Sequence, residues 1–191
     1  PDINRLSKAR LFLFGARDMW FVIALPLYFS VHLGWEHAQI GGFMAAWLIG
    51  YGVVQATAPS WVRIQAAAGW SWALAGFTAA LAIAVYQGAG SSLWLVTGLL
   101  IFGTLFAINS AVHSYAITEL ARSDGASLDV GFYYMANAAG RLIGTVLSGA
   151  VYQGFGLWAC LAVSALMLAI AAWDARRVWP RVITDGPTQS V

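Results

Sequence analysis

Six long apolar runs dominate the sequence and limit what the chain can fold into. Each run is close to the about 20 residues that an α-helix needs to cross a bilayer. None of them alternates polar and apolar side chains over about 10 residues, as a barrel strand does. Because an open sheet cannot satisfy its backbone in lipid, the runs predict an all-α integral membrane protein with six transmembrane helices. The predicted spans are 11–31, 40–58, 70–86, 93–117, 130–153 and 156–173.

The composition agrees with this class of protein. Of the 191 residues, 60% are hydrophobic and only 9% are charged, which is far from the average soluble domain. The net charge of +2 could indicate an anionic partner, but eight of the ten Lys and Arg residues lie outside the runs. This distribution favours membrane topology over nucleic-acid binding. The single cysteine, Cys160, lies in an apolar run, so we expect no disulfide framework, no metal site and no cofactor.

The basic residues outside the runs predict the orientation. They lie before the first run, between the second and third, between the fourth and fifth, and after the sixth, whereas the other three connections hold no Lys or Arg. By the positive-inside rule, both termini are predicted to be cytoplasmic. Residues 1–180 would then form a six-helix transmembrane domain, and residues 181–191 a polar C-terminal tail. The basic residues are Arg5, Lys8, Arg10, Arg63, Arg122, Arg176, Arg177 and Arg181.

The fifth run carries an arginine at its centre. Placing Arg141 there costs about 2.5 to 3.5 kcal/mol on insertion scales, so such a charge usually faces a polar cavity or a partner. Gly140 and Gly144 form a GxxxG pair that lets another helix approach closely. We therefore expect a polar side toward a cavity and a small side toward a neighbouring helix. At 100° per residue, one stripe of this helix holds Tyr134, Asn137, Arg141, Thr145, Ser148 and Tyr152.

Two adjacent charges lie within the first run. Arg17 and Asp18 diverge by 100° on a helix, so they cannot both face the same way. In one interpretation Asp18 neutralises Arg17, or an arginine of another span, and the pair is structural. In the other, Arg17 is an anion ligand and Asp18 titrates during transport. Charged side chains inside a membrane are functional candidates by default, and both interpretations stay open.

The fourth run has an amide and an imidazole on one face. Asn109 and His113 are four residues apart and share that face with two phenylalanines. His113 could hydrogen-bond in an interfacial layer near the cytoplasmic end. It could equally relay protons, because the unperturbed pKa of histidine lies near neutrality.

The polarity of the six runs divides them into two sets of three. The first and fourth runs carry polar side chains in their interior. The second run carries Gln55, and the fifth carries Asn137 and Arg141. The third and sixth runs are nearly apolar. A unit of three helices must be inverted relative to the next unit. The pattern therefore predicts a 3+3 inverted repeat.

No motif of a common enzyme class occurs in the sequence. The patterns HExxH, GxSxG and the P-loop are absent. Ser148 with His113 could be imagined as an intramembrane hydrolase pair, but the serine is not flanked by glycines on both sides. We therefore expect no catalytic residues and no enzyme activity.

Three segments carry a resemblance to a known family. Residues 140–149, GRLIGTVLSG, are similar to the glycine-rich eleventh helix of many major facilitator transporters. Residues 14–26, FGARDMWFVIALP, and residues 51–59, YGVVQATAP, resemble the C-terminal half of the ArsJ family of organoarsenical efflux permeases. The resemblance covers essentially the whole chain. It implies one half of a major facilitator fold, completed by an N-terminal six-span half of the same transporter.

What the resemblance implies for function is export of 1-arseno-3-phosphoglycerate across the bacterial inner membrane, with arsenate resistance as the result. A partner glyceraldehyde-3-phosphate dehydrogenase acting on arsenate would make this solute. From charge and depth alone, we expect Arg17, Arg141, Asn137 and Asn109 to bind the anion. On the same grounds, Asp18 and His113 are the candidates for proton coupling in an antiporter.

Other functions fit the same residues. Guanidinium groups suit any oxyanion, so export of another phosphorylated or carboxylated solute remains an alternative. A six-span channel or a structural membrane subunit would also carry polar stripes. Native size would discriminate, since a channel would assemble from copies of this chain.

Overall fold

The computed structural model describes residues 2–89, 91–121 and 126–185. Within these ranges the fold is entirely helical and contains no β-strand. The predicted all-α class is therefore confirmed. The helices are α1 (Asp2–Phe21), α2 (Ala24–Leu33), α3 (His37–Thr57), α4 (Ala67–Tyr86), α5 (Ser92–Leu120), α6 (Ala126–Phe155), α7 (Leu157–Ala175) and α8 (Trp179–Asp185), and two short 3₁₀ turns join α3 to α4.

Five helical segments in the described ranges are long and apolar enough to cross a membrane, as expected of a helical membrane protein. They are Asp2–Leu33, His37–Ser60, Ile64–Tyr86, Ser92–Leu120 and Leu157–Ala175. Helix α6 has 30 residues and is long enough, but it is more polar than the other five because it contains Asn137, Arg141, tyrosines and several glycines. A sixth span at α6 stays a prediction.

A break divides the first run into α1 and α2. Val22 and Ile23 form a turn between the two helices. Pro26 has no N–H to offer the carbonyl of Val22, which explains why the helix is interrupted at this point. The amide of Ala24, freed by the break, donates to Oγ of Ser148 on α6 over 3.3 Å. The break is thus stabilised by a polar side chain from another helix.

A tight connection joins α2 to α3. Gly34 ends α2 in the left-handed conformation with φ of 68°, which glycine adopts without steric cost. Glu36 and Gln39 then form a capping box at the start of α3, in which the Glu36 amide donates to Oε1 of Gln39 over 2.8 Å. These local signals define where the second run begins.

Helix α1 lies at the centre of the bundle. It packs against α6 and α7 and also contacts α5, while α3 and α4 pack against α5 and α4 packs against α7. Aromatic side chains fill the space between α1 and α5. Trp20 meets Phe102 edge-on with ring centres 4.8 Å apart, and Phe14 meets Phe106 edge-on at 5.2 Å.

Helices α1 and α6 touch backbone to backbone. A Cβ atom on Gly140 would overlap the carbonyl oxygen of Leu11, and one on Gly144 would overlap the carbonyl oxygen of Gly15. A Cβ atom on Gly15 would lie 2.9 Å from the carbonyl oxygen of Gly140. Three glycines therefore permit an approach that no other residue would allow. This contact brings the middle of α6 beside the middle of α1.

Helix α8 follows α7 and packs against α5. Trp179 and Val182 of α8 are buried, so part of the segment predicted as a polar tail packs against the protein. The ring of Trp179 lies edge-on to His113 of α5, with centres 5.2 Å apart. Residues 186–191 of the predicted tail, and Arg122 of the predicted cytoplasmic loops, lie outside the described residues.

Candidate functional site

One carboxylate binds two arginines at the contact between α1 and α6. Nε of Arg17 donates to Oδ1 of Asp18 over 2.7 Å, and Nε of Arg141 donates to Oδ2 of the same carboxylate over 2.9 Å. Each carboxylate oxygen thus accepts one charge-assisted hydrogen bond. The three side chains, which we call the Arg17–Asp18–Arg141 cluster, carry one net positive charge.

The sequence left two interpretations of Arg17 and Asp18 open, and the structure contains the ion pair. The two residues point in different directions from α1, but the long arginine side chain bends back to its neighbour. Arg141 supplies the second partner from another helix. Either arginine can still bind an anion, because one carboxylate bound to two guanidinium groups leaves one net positive charge.

The two arginines differ in their surroundings. The Arg17 side chain is only 8% exposed and its guanidinium lies 5.1 Å from the ring centre of Phe14 and 5.5 Å from that of Phe106. Such cation–π contacts hold the guanidinium in place. The Arg141 side chain is 54% exposed, whereas Asp18 between them is buried. The cluster is therefore rigid on the α1 side and open on the α6 side.

Both guanidinium groups keep donors that the protein does not use. An arginine has five N–H donors, and the fork of its two terminal nitrogens matches an oxyanion. Arg17 and Arg141 each donate to Asp18 from Nε. Within the described part of the chain, their terminal nitrogens donate no hydrogen bond. The Arg141 fork is thus available at the surface, whereas the Arg17 fork is unpaired in the described residues but buried.

Asn137 lies one turn before Arg141 on α6. Its side chain is half-buried, and its Oδ1 atom is buried without a hydrogen-bond partner in the described residues. The Asn137 side chain is therefore positioned near the cluster with hydrogen-bonding capacity to spare. A role of Asn137 in binding the solute stays a prediction.

Asn109 has a different environment from the other expected anion ligands. Its amide nitrogen donates to the carbonyl oxygens of Trp70 and Leu105 over 3.0 and 2.9 Å, and its Oδ1 accepts from Ser71 over 2.8 Å. These bonds use both amide hydrogens, so Asn109 has no donor left for a solute. It holds α4 against α5.

His113, expected to lie near the membrane interface or to relay protons, is enclosed. It is fully buried under Trp179, and its Nδ1 atom has no partner among the described residues. Asp18, the other candidate for proton coupling, lies on α1 and is bound to Arg17 and Arg141. The two candidates therefore do not contact each other.

The polar stripe predicted on α6 is divided between two environments. Ser148 lies on the packed face with Gly140 and Gly144 and binds the break in the first run. Tyr134 and Arg141, in contrast, are exposed. Gly140, Gly144 and Ser148 follow one another at intervals of four residues, so Ser148 lies on the packed face of α6 with the two glycines.

Sequence reasoning overlooked Arg10, Ser110 and Gly15. Arg10 precedes the first run and was counted only as a topology signal, yet it is buried and donates to Ser110. Its spacing from Phe14 and Arg17, at i+4 and i+7, would have placed it on their face of the helix. Nothing in the sequence indicated that position 15 requires glycine, because the requirement arises only from the contact of α1 with α6.

Two clefts of the described structure lie away from the cluster. One of about 520 Å³ lies between α4 and α5 and is lined by apolar side chains including Leu81 and Trp94, and one of about 510 Å³ lies near Asp2 and Asp129. The cluster instead opens at the surface of the bundle through Arg141. Comparison with protein-family models and with curated proteins found no match for this chain.

Proposed function

We propose that this protein is a membrane transporter for a small organic anion and that the Arg17–Asp18–Arg141 cluster binds the solute. The observation that carries the proposal is the pair of arginines bound to one buried carboxylate, with terminal nitrogens that donate no hydrogen bond within the described residues. An arginine within an apolar bundle is costly and usually functional. A structural ion pair would need only one arginine for Asp18.

The chemistry of the cluster favours an oxyanion. Each guanidinium fork can donate two parallel hydrogen bonds to a phosphate, arsenate or carboxylate group. Asp18 orients both arginines through Nε and offsets part of their mutual repulsion. Asn137 is close in sequence to Arg141 and has an unused oxygen that can accept from a hydroxyl group of the solute.

Within this class, the resemblance to organoarsenical efflux permeases supports 1-arseno-3-phosphoglycerate as the solute. That molecule carries two oxyanion groups and a hydroxyl group, which suits two arginines and an amide. The proposed setting is the inner membrane of a bacterium in which glyceraldehyde-3-phosphate dehydrogenase acts on arsenate. Export would then give arsenate resistance. Another phosphorylated or carboxylated solute is the alternative that the same side chains allow.

The helix contacts support a 3+3 inverted repeat. A two-fold operation that relates the two units would exchange α1 with α5, α3 with α6 and α4 with α7. It would turn the α1–α6 contact into α5–α3 and the α1–α7 contact into α5–α4. Both of these contacts are present. The α4–α7 and α1–α5 contacts map onto themselves, whereas the α6–α7 contact has no comparable α3–α4 contact in the described structure. A two-fold relation of this kind is expected of one half of a major facilitator transporter.

The exposure of Arg141 supports a second half. A charged side chain that is half exposed within an apolar bundle needs a polar surface in front of it rather than lipid. An N-terminal six-span half would supply that surface and close a cavity at the bilayer midplane. Both termini of this chain would be cytoplasmic.

The test is transport by the complete transporter, in cells that also contain the dehydrogenase. We expect Arg141→Gln to abolish arsenate resistance at unchanged membrane abundance. The matched control is Arg63→Gln, which removes an exposed arginine from the α3–α4 connection and should leave resistance intact. Equal resistance in both variants would refute the assignment of Arg141.

Purified transporter in liposomes separates the alternatives. Saturable efflux of the organoarsenical that 3-phosphoglycerate does not inhibit would support the specific solute, and equal transport of both would support the broader class. Flux through this chain alone that increases linearly with solute concentration would instead indicate a channel.

A further inference from the structure

Arg10 is a buried cation without a carboxylate partner in the part of the chain that the structure describes. It lies on α1 two turns before Arg17 and is 4% exposed. Its Nη1 atom donates to the backbone oxygen and to the hydroxyl of Ser110, each over 3.2 Å. Among the described residues, no Asp or Glu forms an ion pair with it. Neutral oxygens compensate only in part for a buried charge, so this guanidinium lacks a counter-ion.

Buried polar atoms of Arg10, of Ser7 on the same helix and of the His113–Trp179 pair have no hydrogen-bond partner among the described residues. Nε of Arg10, the hydroxyl of Ser7 one turn before it and the indole N–H of Trp179 are all buried without a partner in the described structure. Nδ1 of His113 is also unsatisfied, and the imidazole is close enough to Arg10 to interact with it electrostatically. A region with a positive charge and unused donors is complementary to an oxyanion.

Arg10 and Arg17 both contact the ring of one phenylalanine. The guanidinium carbon of Arg10 is 4.0 Å from the ring centre of Phe14, and that of Arg17 is 5.1 Å from it. The two guanidinium carbons can thus be no farther apart than the sum of these distances, about 9 Å. One solute with two oxyanion groups a few bonds apart can contact both arginines.

The ring of Tyr133 on α6 also contacts Arg10. Its centre is 5.0 Å from the guanidinium carbon of Arg10. Cation–π contacts with Phe14 and Tyr133 stabilise the guanidinium but do not neutralise it. The interior group of Arg10, Arg17, Asp18 and Arg141 therefore has three positive charges and one negative charge.

We propose that Arg10 is a second oxyanion-binding residue, on the N-terminal side of the Arg17–Asp18–Arg141 cluster, and that it takes a phosphate-type group. The role of this group as part of a transported solute rests on the function proposed above. The binding of the oxyanion at Arg10 does not. A dianionic solute would then be held at both ends, with one group at Arg10 and the other at the cluster.

The test measures binding rather than transport, with inorganic phosphate as the probe. The protein is placed in phosphatidylcholine nanodiscs, and its thermal unfolding is followed at constant ionic strength with phosphate or with chloride. A ligand that binds only the folded state raises the unfolding temperature. We expect phosphate to raise it in the wild type and in the Arg63→Gln control. Arg10→Gln and Arg141→Gln should each lose part of the rise, and the double variant should lose all of it.

A structural role for Arg10 predicts a different result. Arg10→Gln would then unfold at a lower temperature without phosphate and would keep the full phosphate effect, which would overturn the proposal. With a binding role, Arg10→Gln should be no less stable than the wild type, because it removes a buried charge that has no counter-ion. Should Arg10→Gln fail to fold, Arg10→Lys decides. It keeps the charge but loses the fork, so we expect at least a tenfold weaker apparent phosphate affinity, and an unchanged affinity would refute the proposal.

A lipid headgroup offers the same phosphate chemistry and must be distinguished. If phosphatidylglycerol in the nanodiscs stabilises the protein through Arg10 and free phosphate does not, the occupant is a lipid and the proposed solute contact is wrong. If the complete wild-type protein transports no organic anion but still binds phosphate through Arg10, the proposed function is wrong and the proposal for Arg10 stands.

Discussion

Arg141 on α6 donates from Nε to Oδ2 of Asp18 on α1 across 2.9 Å, although the two residues are 123 positions apart in the sequence. They meet because Gly140, the neighbour of Arg141, lies directly against the backbone of Leu11. Arg17 holds the other carboxylate oxygen. Loss of Arg141 therefore leaves Asp18 paired, whereas loss of Asp18 leaves two arginines without a counter-ion.

Asp18→Asn should destabilise the protein. Removing one partner of a buried charge cluster typically costs about 3 to 5 kcal/mol, because the remaining charge is left uncompensated. Arg141→Gln should cost less than about 1 kcal/mol, since the Arg141 side chain is half exposed and Asp18 retains Arg17. Denaturant unfolding and membrane abundance of the two variants provide the comparison. Equal stability of Asp18→Asn and the wild type would show that the cluster does not need its carboxylate.

Gly144→Ala should separate α6 from α1. The added methyl group would overlap the carbonyl oxygen of Gly15, and overpacking of this kind costs about 1 to 3 kcal/mol or more. The matched control is Gly149→Ala on the same helix, where a Cβ atom meets nothing within 4 Å. We expect the control to be neutral or slightly stabilising, because alanine favours helices. Similar unfolding midpoints for the two variants would contradict the close contact.

Asn109→Ala should weaken the fold without changing solute affinity. The substitution removes the hydrogen bonds that Asn109 makes with Ser71 and with the carbonyl oxygen of Trp70 between α4 and α5, at a cost of about 1 to 3 kcal/mol. Asn137→Ala should have the opposite effect, with little change in stability and weaker binding. Unfolding and phosphate titration of both variants test this contrast. A stable Asn109→Ala variant with reduced affinity would restore Asn109 to the solute site.

Cysteine labelling of intact cells tests the predicted orientation. Cys160 is buried, and Cys160→Ser removes its thiol from the experiment. In that background an impermeant reagent should label Glu36→Cys, in the connection without Lys or Arg, but not Arg63→Cys. Both side chains are exposed in the structure, so exposure alone does not explain a difference. The reverse labelling pattern would invert the topology.

Local signals in the sequence were sufficient for helices in the six runs, but not for α8, which begins at the end of the predicted membrane domain and continues into the predicted polar tail. Apolar length predicts helices in each of the six runs, and helices occupy all of them. Pro26 and Gly34 identify the break and the end of the first run because their backbone restrictions act locally. The GxxxG pair at Gly140 and Gly144 indicates a close helix contact but not its partner, because many helices can supply a backbone surface.

The site was only partly accessible from the sequence. Arg17, Asp18 and Arg141 stood out because a charge inside an apolar run is costly. Asn109 stood out for the same reason, yet its hydrogen bonds serve the contact between α4 and α5. A buried polar side chain must find partners, and the sequence cannot say whether those partners come from the protein or from a solute.

The sequence by itself determined the membrane class, the helices and the presence of charges within them, because these depend on the hydropathy and backbone preferences of neighbouring residues. Only the tertiary structure decided that Asp18 binds two arginines, that Asn109 is fully occupied and that Arg10 lies buried beside Phe14 without a counter-ion. These facts depend on which helix faces which and at what distance. Charge interactions change steeply with separation and burial, so the same residues acquire different roles once the helices are packed.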